Sequence, residues 1–146
     1  MRIRIRIISA HDVIGIRHAV LRPNQPVEQC TWPSDDAPTT AHFGAFADDE
    51  MVGIASIYLE SQPDSPDPSA WRLRGMATLP EFRSQGVGGL LLSACIEHVE
   101  NSGGTTIWCN ARTPAVRFYE RHGFECIGDE FQLPGIGPHY RMERKV

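Results

Sequence analysis

The chain has 146 residues, with 14 Lys plus Arg against 18 Asp plus Glu and a formal net charge of −4. A hydrophobic share of 41% and a charged share of 22% describe a globular chain, long enough to bury a core without a metal or disulfide staple. These figures exclude a collagen-like or disordered class and argue against a basic nucleic-acid groove. No apolar run approaches the ~20 residues of a membrane span.

Met1 leads straight into Arg2-Ile3-Arg4-Ile5-Arg6-Ile7, an alternation unlike the continuous apolar core of a signal peptide. The four cysteines, Cys30, Cys95, Cys109 and Cys126, show no C-x-x-C and no metal-type spacing. They read as reduced thiols in a cytoplasmic protein that binds no metal.

The period-two run Arg2 to Ile8 predicts a half-buried strand. Ser9, with Asp12 three residues on, predicts a weak capping box for a helix carrying Val13, Ile16 and Val20. Pro23 and Pro26 end it, and residues 27–40 read as loop or a short helical turn. Ala41 to Ala47 and Met51 to Glu60 predict a hairpin joined at Asp48-Asp49-Glu50. Ser61 to Ala70 carries three prolines and reads as a surface excursion. Trp71 to Thr78 predicts a strand. Gly86 to Glu100 predicts the longest helix, with Val87, Leu90, Leu91, Ala94, Cys95 and Val99 on its inner face. Thr105 to Asn110 predicts a strand. Thr113 is placed as the cap of a helix with Pro114 in its first turn and Gly123 past its end. Phe124 to Gln132 and His139 to Lys145 complete the order β-α-β-β-β-α-β-α-β-β. One α/β (α+β) domain over residues 1–146 follows, with a mixed, mostly antiparallel sheet and helices on both faces.

The segment Arg83-Ser84-Gln85-Gly86-Val87-Gly88-Gly89-Leu90 joins a strand to the long helix. Three residues without Cβ let a ligand approach the backbone. The first helical N–H groups lack internal partners, and the helix dipole adds positive potential there, so the turn suits a pyrophosphate. A Walker loop would need Gly-Lys-Ser/Thr where the chain has Gly89-Leu90, and a dinucleotide fingerprint would need glycine where Leu91 stands.

Downstream lies Arg112-Thr113-Pro114-Ala115-Val116-Arg117-Phe118-Tyr119-Glu120-Arg121-His122-Gly123-Phe124. With it, the chain resembles the GNAT superfamily of acyl-CoA N-acyltransferases. Arg83-x-x-Gly86-x-Gly88 is similar to the family's pyrophosphate motif. Ala115, Phe118, Tyr119, Glu120, Gly123 and Phe124 are similar to its later helix. The tail Gly135-Ile136-Gly137-Pro138-His139 resembles that of a bacterial branch with a C-terminal Gly-x-Pro-His motif. Arg112 stands where many members carry asparagine, and Asn110 lies two residues earlier.

The resemblance implies acetyl-CoA as acyl donor and a primary amine as acceptor, with direct attack in a ternary complex. The donor's pyrophosphate would meet Arg83, Ser84, Gln85, Gly86, Val87, Gly88 and Gly89. Its pantetheine arm would run beside Met76, Ala77 and Thr78, where this strand splays from the next, with Arg112 and Tyr119 close by. Tyr119 is the candidate acid for the thiolate leaving group, set against a purely packing role in its aromatic stripe. Glu60 and His139 are candidate bases, as is a water chain; an imidazole titrates near ~6.5 and can take a proton at neutral pH. Arg74 alternates with Leu73 and Gly75 and is the candidate contact for the acceptor. A non-catalytic acyl-CoA binding or sensing module on the same fold is the alternative reading. Exposed strands near the C-terminus leave room for a homodimer.

Overall fold

The alternation of charge and aliphatic residue at the start of the chain makes β1 (Ile3–Ile8) an edge strand with one face turned inward. In the computed structural model, which describes residues 2–146, it is the first of seven strands. The others are β2 (Ala41–Ala47), β3 (Glu50–Leu59), β4 (Ala70–Thr78), β5 (Thr106–Arg112), β6 (Glu125–Leu133) and β7 (Gly137–Lys145). They form one sheet in the order β1-β2-β3-β4-β5-β7-β6. Every pairing is antiparallel except β4 with β5. The mixed, mostly antiparallel sheet is the one the element order predicts.

One face of the sheet carries the main core. Helix α2 (Val87–Asn101) presents Val87, Leu91, Leu92, Cys95 and Val99 to Phe43, Ile57, Leu73, Ile107 and Met142. Leu90, assigned inward from sequence, is 44% exposed, and Leu92 takes the buried place. Both positions are apolar, so the pattern alone does not say which edge of the stripe meets the sheet. Helix α3 (Val116–Arg121) joins this layer through Tyr119, Phe118 and Val116. Thr113 does not cap α3. Its hydroxyl bonds the Glu130 carboxylate at 2.8 Å, and a 3-10 turn over Thr113–Ala115 leads into the helix.

The other face is covered by an irregular helical segment. A 3-10 turn (His11–Val13) passes through α1 (Ile14–Ile16) into a π-helical stretch (Arg17–Leu21). Its entry is the reciprocal pair expected of Ser9 and Asp12: each backbone N–H donates to the other's side-chain oxygen, at 3.1 and 3.2 Å. The widened π register begins at Arg17, whose side chain is fully buried. Single π turns often mark functional places.

Two irregularities of β4 prepare the site. Ile54 pairs with Ala77 and Ser56 with Arg74, so β4 holds one residue more than β3 across this step. The bulge centres on Gly75, at φ +71°, and a Cβ there would sit 2.9 Å from the Trp32 ring. The strand also pairs with β5 only from Ala70 to Arg72, opposite Thr106 to Trp108. Beyond that point the two parallel strands diverge, and only their facing edges lack a sheet partner, because β4 still pairs with β3 and β5 with β7.

Candidate active site

The divergence of β4 and β5 opens a cleft of about 340 Å³ through the sheet. Strand alternation decides what lines each side. Leu73, Met76, Cys109 and Ala111, with Ala115 and Tyr119 beyond them, belong to the side of α2 and α3. Arg72, Arg74, Asn110 and Arg112 alternate onto the other face, where Arg74 lies over Trp32 and Arg112 reaches the Leu21 carbonyl. The C-terminal hairpin adds Leu133, Ile136 and His139 to the wall.

Tyr119 is 8% exposed and packs edge-on against Phe118 and Phe124. Its hydroxyl has the Met76 sulfur at 4.0 Å and no oxygen partner among the described residues. Burial first, and then the neighbouring Cys109 and Cys95, hold its phenol well above the ordinary value, so it stays protonated. Burial also pushes the Cys95 and Cys109 thiols up to about 12. Neither is available as a thiolate nucleophile at neutral pH.

His139 is buried and lies on the cleft wall, with its ring near Phe131 at 5.9 Å. Its Nδ1 lies 2.8 Å from the Gly137 carbonyl. A carbonyl only accepts, so Nδ1 carries the hydrogen and the neutral ring keeps its lone pair on Nε2. Glu60 does not line the cleft. Its carboxylate pairs with Arg72 at 3.1 Å, and its carbonyl accepts from the Trp108 indole at 2.8 Å. The structure therefore brings Tyr119, His139, Arg74 and Arg112 to one cleft and leaves Glu60 behind Arg72. Arg112 reaches the Leu21 carbonyl at 3.2 Å, on the face away from α2.

The glycine turn lies at the N-terminus of α2. Ser84 and Gly86 both have left-handed φ, +64° and +80°, and no side chain caps the helix. A Cβ on Gly86 would meet nothing within 4 Å, so the turn is open outward. Orphan N–H groups beside open space fit an anionic phosphate. Gly88 and Gly89 have another reason to be glycine. A Cβ there would lie 3.2 Å from Phe118 and 3.4 Å from His122, so these two positions set how closely α3 approaches α2. Arg83, Ser84 and Gln85 are exposed, and the Gln85 amide donates to the Glu81 carbonyl at 3.2 Å. Met76, Ala77 and Thr78 lie where β4 no longer pairs with β5.

Sequence reasoning missed the buried polar network beneath the Trp32 side of the cleft. Arg17, wholly buried, makes two bonds to Asp35, at 2.7 and 3.1 Å, and further bonds to the Cys30 carbonyl, Ser56 and Tyr58. Tyr58 also donates to Asp35, and the Trp32 N–H bonds the same carboxylate at 2.8 Å. Burial alone would raise Asp35. The hydrogen bonds from Arg17, Trp32 and Tyr58 outweigh it and hold the carboxyl below its ordinary value. His42 bonds Ser56 and the Asp35 carbonyl from behind. The only sequence signal was a charged residue on the inward stripe of the first helix, between Ile16 and Val20.

Comparison with known proteins agrees with this architecture. The acetyltransferase (GNAT) domain profile matches residues 21–146. A Bacillus subtilis (strain 168) protein, the uncharacterized N-acetyltransferase YitI, is 40% identical over 144 residues, spanning 99% of this chain and 97% of its own. Ard1 from Thermoplasma volcanium shares the fold with a TM-score of 0.79 at 18% identity, over 100% of this chain and 99% of that one. An aminoglycoside 6'-N-acetyltransferase complexed with coenzyme A gives 0.77 at 14% identity, over 97% and 96%. These matches do not reach the branch suggested by the tail, where Ile136 stands at the place a Gly-x-Pro-His spacing gives to glycine. A splayed β4–β5 pair, an uncapped glycine turn and a match over most of the chain have one joint meaning: the chain belongs to the GNAT family of acetyltransferases.

Proposed function

We propose that the protein transfers an acetyl group from acetyl-CoA to a primary amine by direct attack, with both substrates bound together. The observation that carries this reading is the cleft that passes through the sheet, with Tyr119 on one side and an open polar wall on the other. Two substrates can then meet between β4 and β5 from opposite faces.

The donor's pyrophosphate would rest on the amides from Gln85 to Gly89, with Arg83 and Ser84 at the rim. Its arm would lie along the edge of Met76, Ala77 and Thr78 that faces β5 and has no partner strand there, where side-chain identity matters little. A backbone N–H of β4 near Thr78 would polarise the thioester carbonyl. The amine nitrogen attacks the carbonyl carbon and the C–N bond forms. The ammonium gives one proton to His139 Nε2 or to water before attack, and the nitrogen releases its second to solvent as the amide forms. The C–S bond then breaks, and Tyr119 gives its phenolic proton to the departing thiolate and regains one from solvent. The products are an N-acetyl amide and free CoA, with atoms and charge balanced.

The test is release of the CoA thiol from acetyl-CoA in the presence of primary amines, beside calorimetric titrations with acetyl-CoA and ATP. Acetyl-CoA binding with amine-dependent thiol release is expected. Binding of ATP in preference to acetyl-CoA, or no release with any amine, would overturn the reading.

A further inference from the structure

The amine side of the cleft has an unusual charge. In a chain with more acidic than basic residues, Arg22, Arg72, Arg74 and Arg112 all line this cleft, and no Asp or Glu does. Among the described residues, Arg72 is the one of the four with a carboxylate partner, Glu60. Among the described residues, Arg22 and Arg112 bond just the Leu21 carbonyl, at 3.0 and 3.2 Å. Arg74 bonds no oxygen among the described residues. Its guanidinium lies 4.1 Å from the centre of the Trp32 ring, with Arg17 at 3.8 Å and Arg22 at 5.8 Å from the same ring.

These cations are held together at a cost. Burial first, and then Arg72, push Arg74 down to about 10. Burial and then Arg112 push Arg22 down from its ordinary value. Arg22, Arg74 and Arg112 are half-buried, and like charges drawn partly out of water are normally neutralised by pairing. Arg17 shows that remedy in this same layer, paired with Asp35. The Arg17–Asp35 pair fixes Trp32 through its N–H, and Trp32 in turn braces Arg74. The missing counter-charge is thus left to a ligand.

We propose that the acceptor is a small amine that itself carries an anionic group, carboxylate or phosphate, bound by Arg74, Arg22 and Arg112. This rests on the transfer reading above and narrows it. Polyamines, other polycations and lysine-rich peptides bring positive charge to a wall that already holds too much. The donor's phosphates do not meet this need, because the glycine turn lies at α2, on the opposite face of the sheet from these arginines. The same positive wall eases loss of a proton from the approaching ammonium, since a nearby cation disfavours the charged amine. That accounts for a cleft with no carboxylate base.

The experiment compares kcat/KM at saturating acetyl-CoA for matched amines: β-alanine with β-alaninamide, O-phosphoethanolamine with ethanolamine, and spermidine. The anionic member of at least one pair should be preferred about 30-fold or more, the size expected of a desolvated ion pair. Which pair responds separates carboxylate from phosphate. In Arg74→Gln that preference should fall about 10-fold or more, and Arg112→Gln gives a second reading should the first variant not fold. Equal or better use of the neutral amines or spermidine would overturn this inference and leave acetyl transfer standing, as would a preference that survives both variants. No thiol release with any amine would overturn the transfer reading and this inference with it.

Discussion

Tyr119 and Arg17 are both buried, and they answer different questions. Tyr119→Phe removes one oxygen and little volume from an aromatic cluster. The single-turnover rate is expected to fall about 10²–10⁴-fold, with the melting temperature and acetyl-CoA affinity almost unchanged. A normal single-turnover rate would return the residue to a packing role. The raised phenol pKa has a direction that can be checked. In the proposed mechanism the protonated form is the useful one, and it persists to higher pH than a free tyrosine. The kcat/KM profile of the native protein should therefore show no loss from Tyr119 below about pH 10. Arg17→Met should destabilise the fold by about 3–5 kcal/mol in urea unfolding, because it strands the buried Asp35 carboxylate. Asp35 titrates below its ordinary value when folded. Its contribution is then complete above about pH 4, the range of the unfolded carboxyl, and is lost as the pH falls through the lower folded value.

Among the elements, the turn before α2 is the sharpest test of donor binding. Gly86→Asp suits the site mechanically. The position is open, aspartate tolerates a left-handed φ better than most residues, and it is a favourable N-cap. Its charge, however, would stand where the proposed donor's pyrophosphate would rest. Calorimetry should show acetyl-CoA affinity reduced about 30-fold or more in a protein that melts normally. The same change at Gly88 would be a poorer test, since its side chain would run into Phe118. The sequence of this turn was legible because glycine spacing and the start of a helical stripe coincide. The bulge at Gly75 was not. One glycine in a strand does not say whether it marks a bulge, a bend or a close neighbour, and here the neighbour is Trp32, which is 43 residues away in the chain.

At the scale of the molecule, the thiols report how the layers close. Cys30, Cys95 and Cys109 are buried and Cys126 is exposed on the edge strand β6. One thiol in four should react quickly with an aromatic disulfide reagent in the native state, and all four after unfolding; more than one fast thiol would contradict this packing. The element order and the sheet's mixed character followed from local pattern, because period two, period 3.6 and turn residues are properties of neighbours in the chain. The glycine turn and the Tyr119 helix were equally local. The divergence of β4 from β5 was an expectation from family resemblance, and its extent, from Arg72 and Trp108 onward, is a matter of pairing between distant strands. The meeting of Arg22, Arg74 and Arg112 around one cleft, with Glu60 turned aside to Arg72, depends on which faces of three separate segments point inward. Sequence alone determined which segments form elements and where an anion could bind a helix start. Tertiary structure alone decided which charges share a cleft without a counter-charge, because electrostatic coupling depends on distance through space and on burial, and neither is set by separation along the chain.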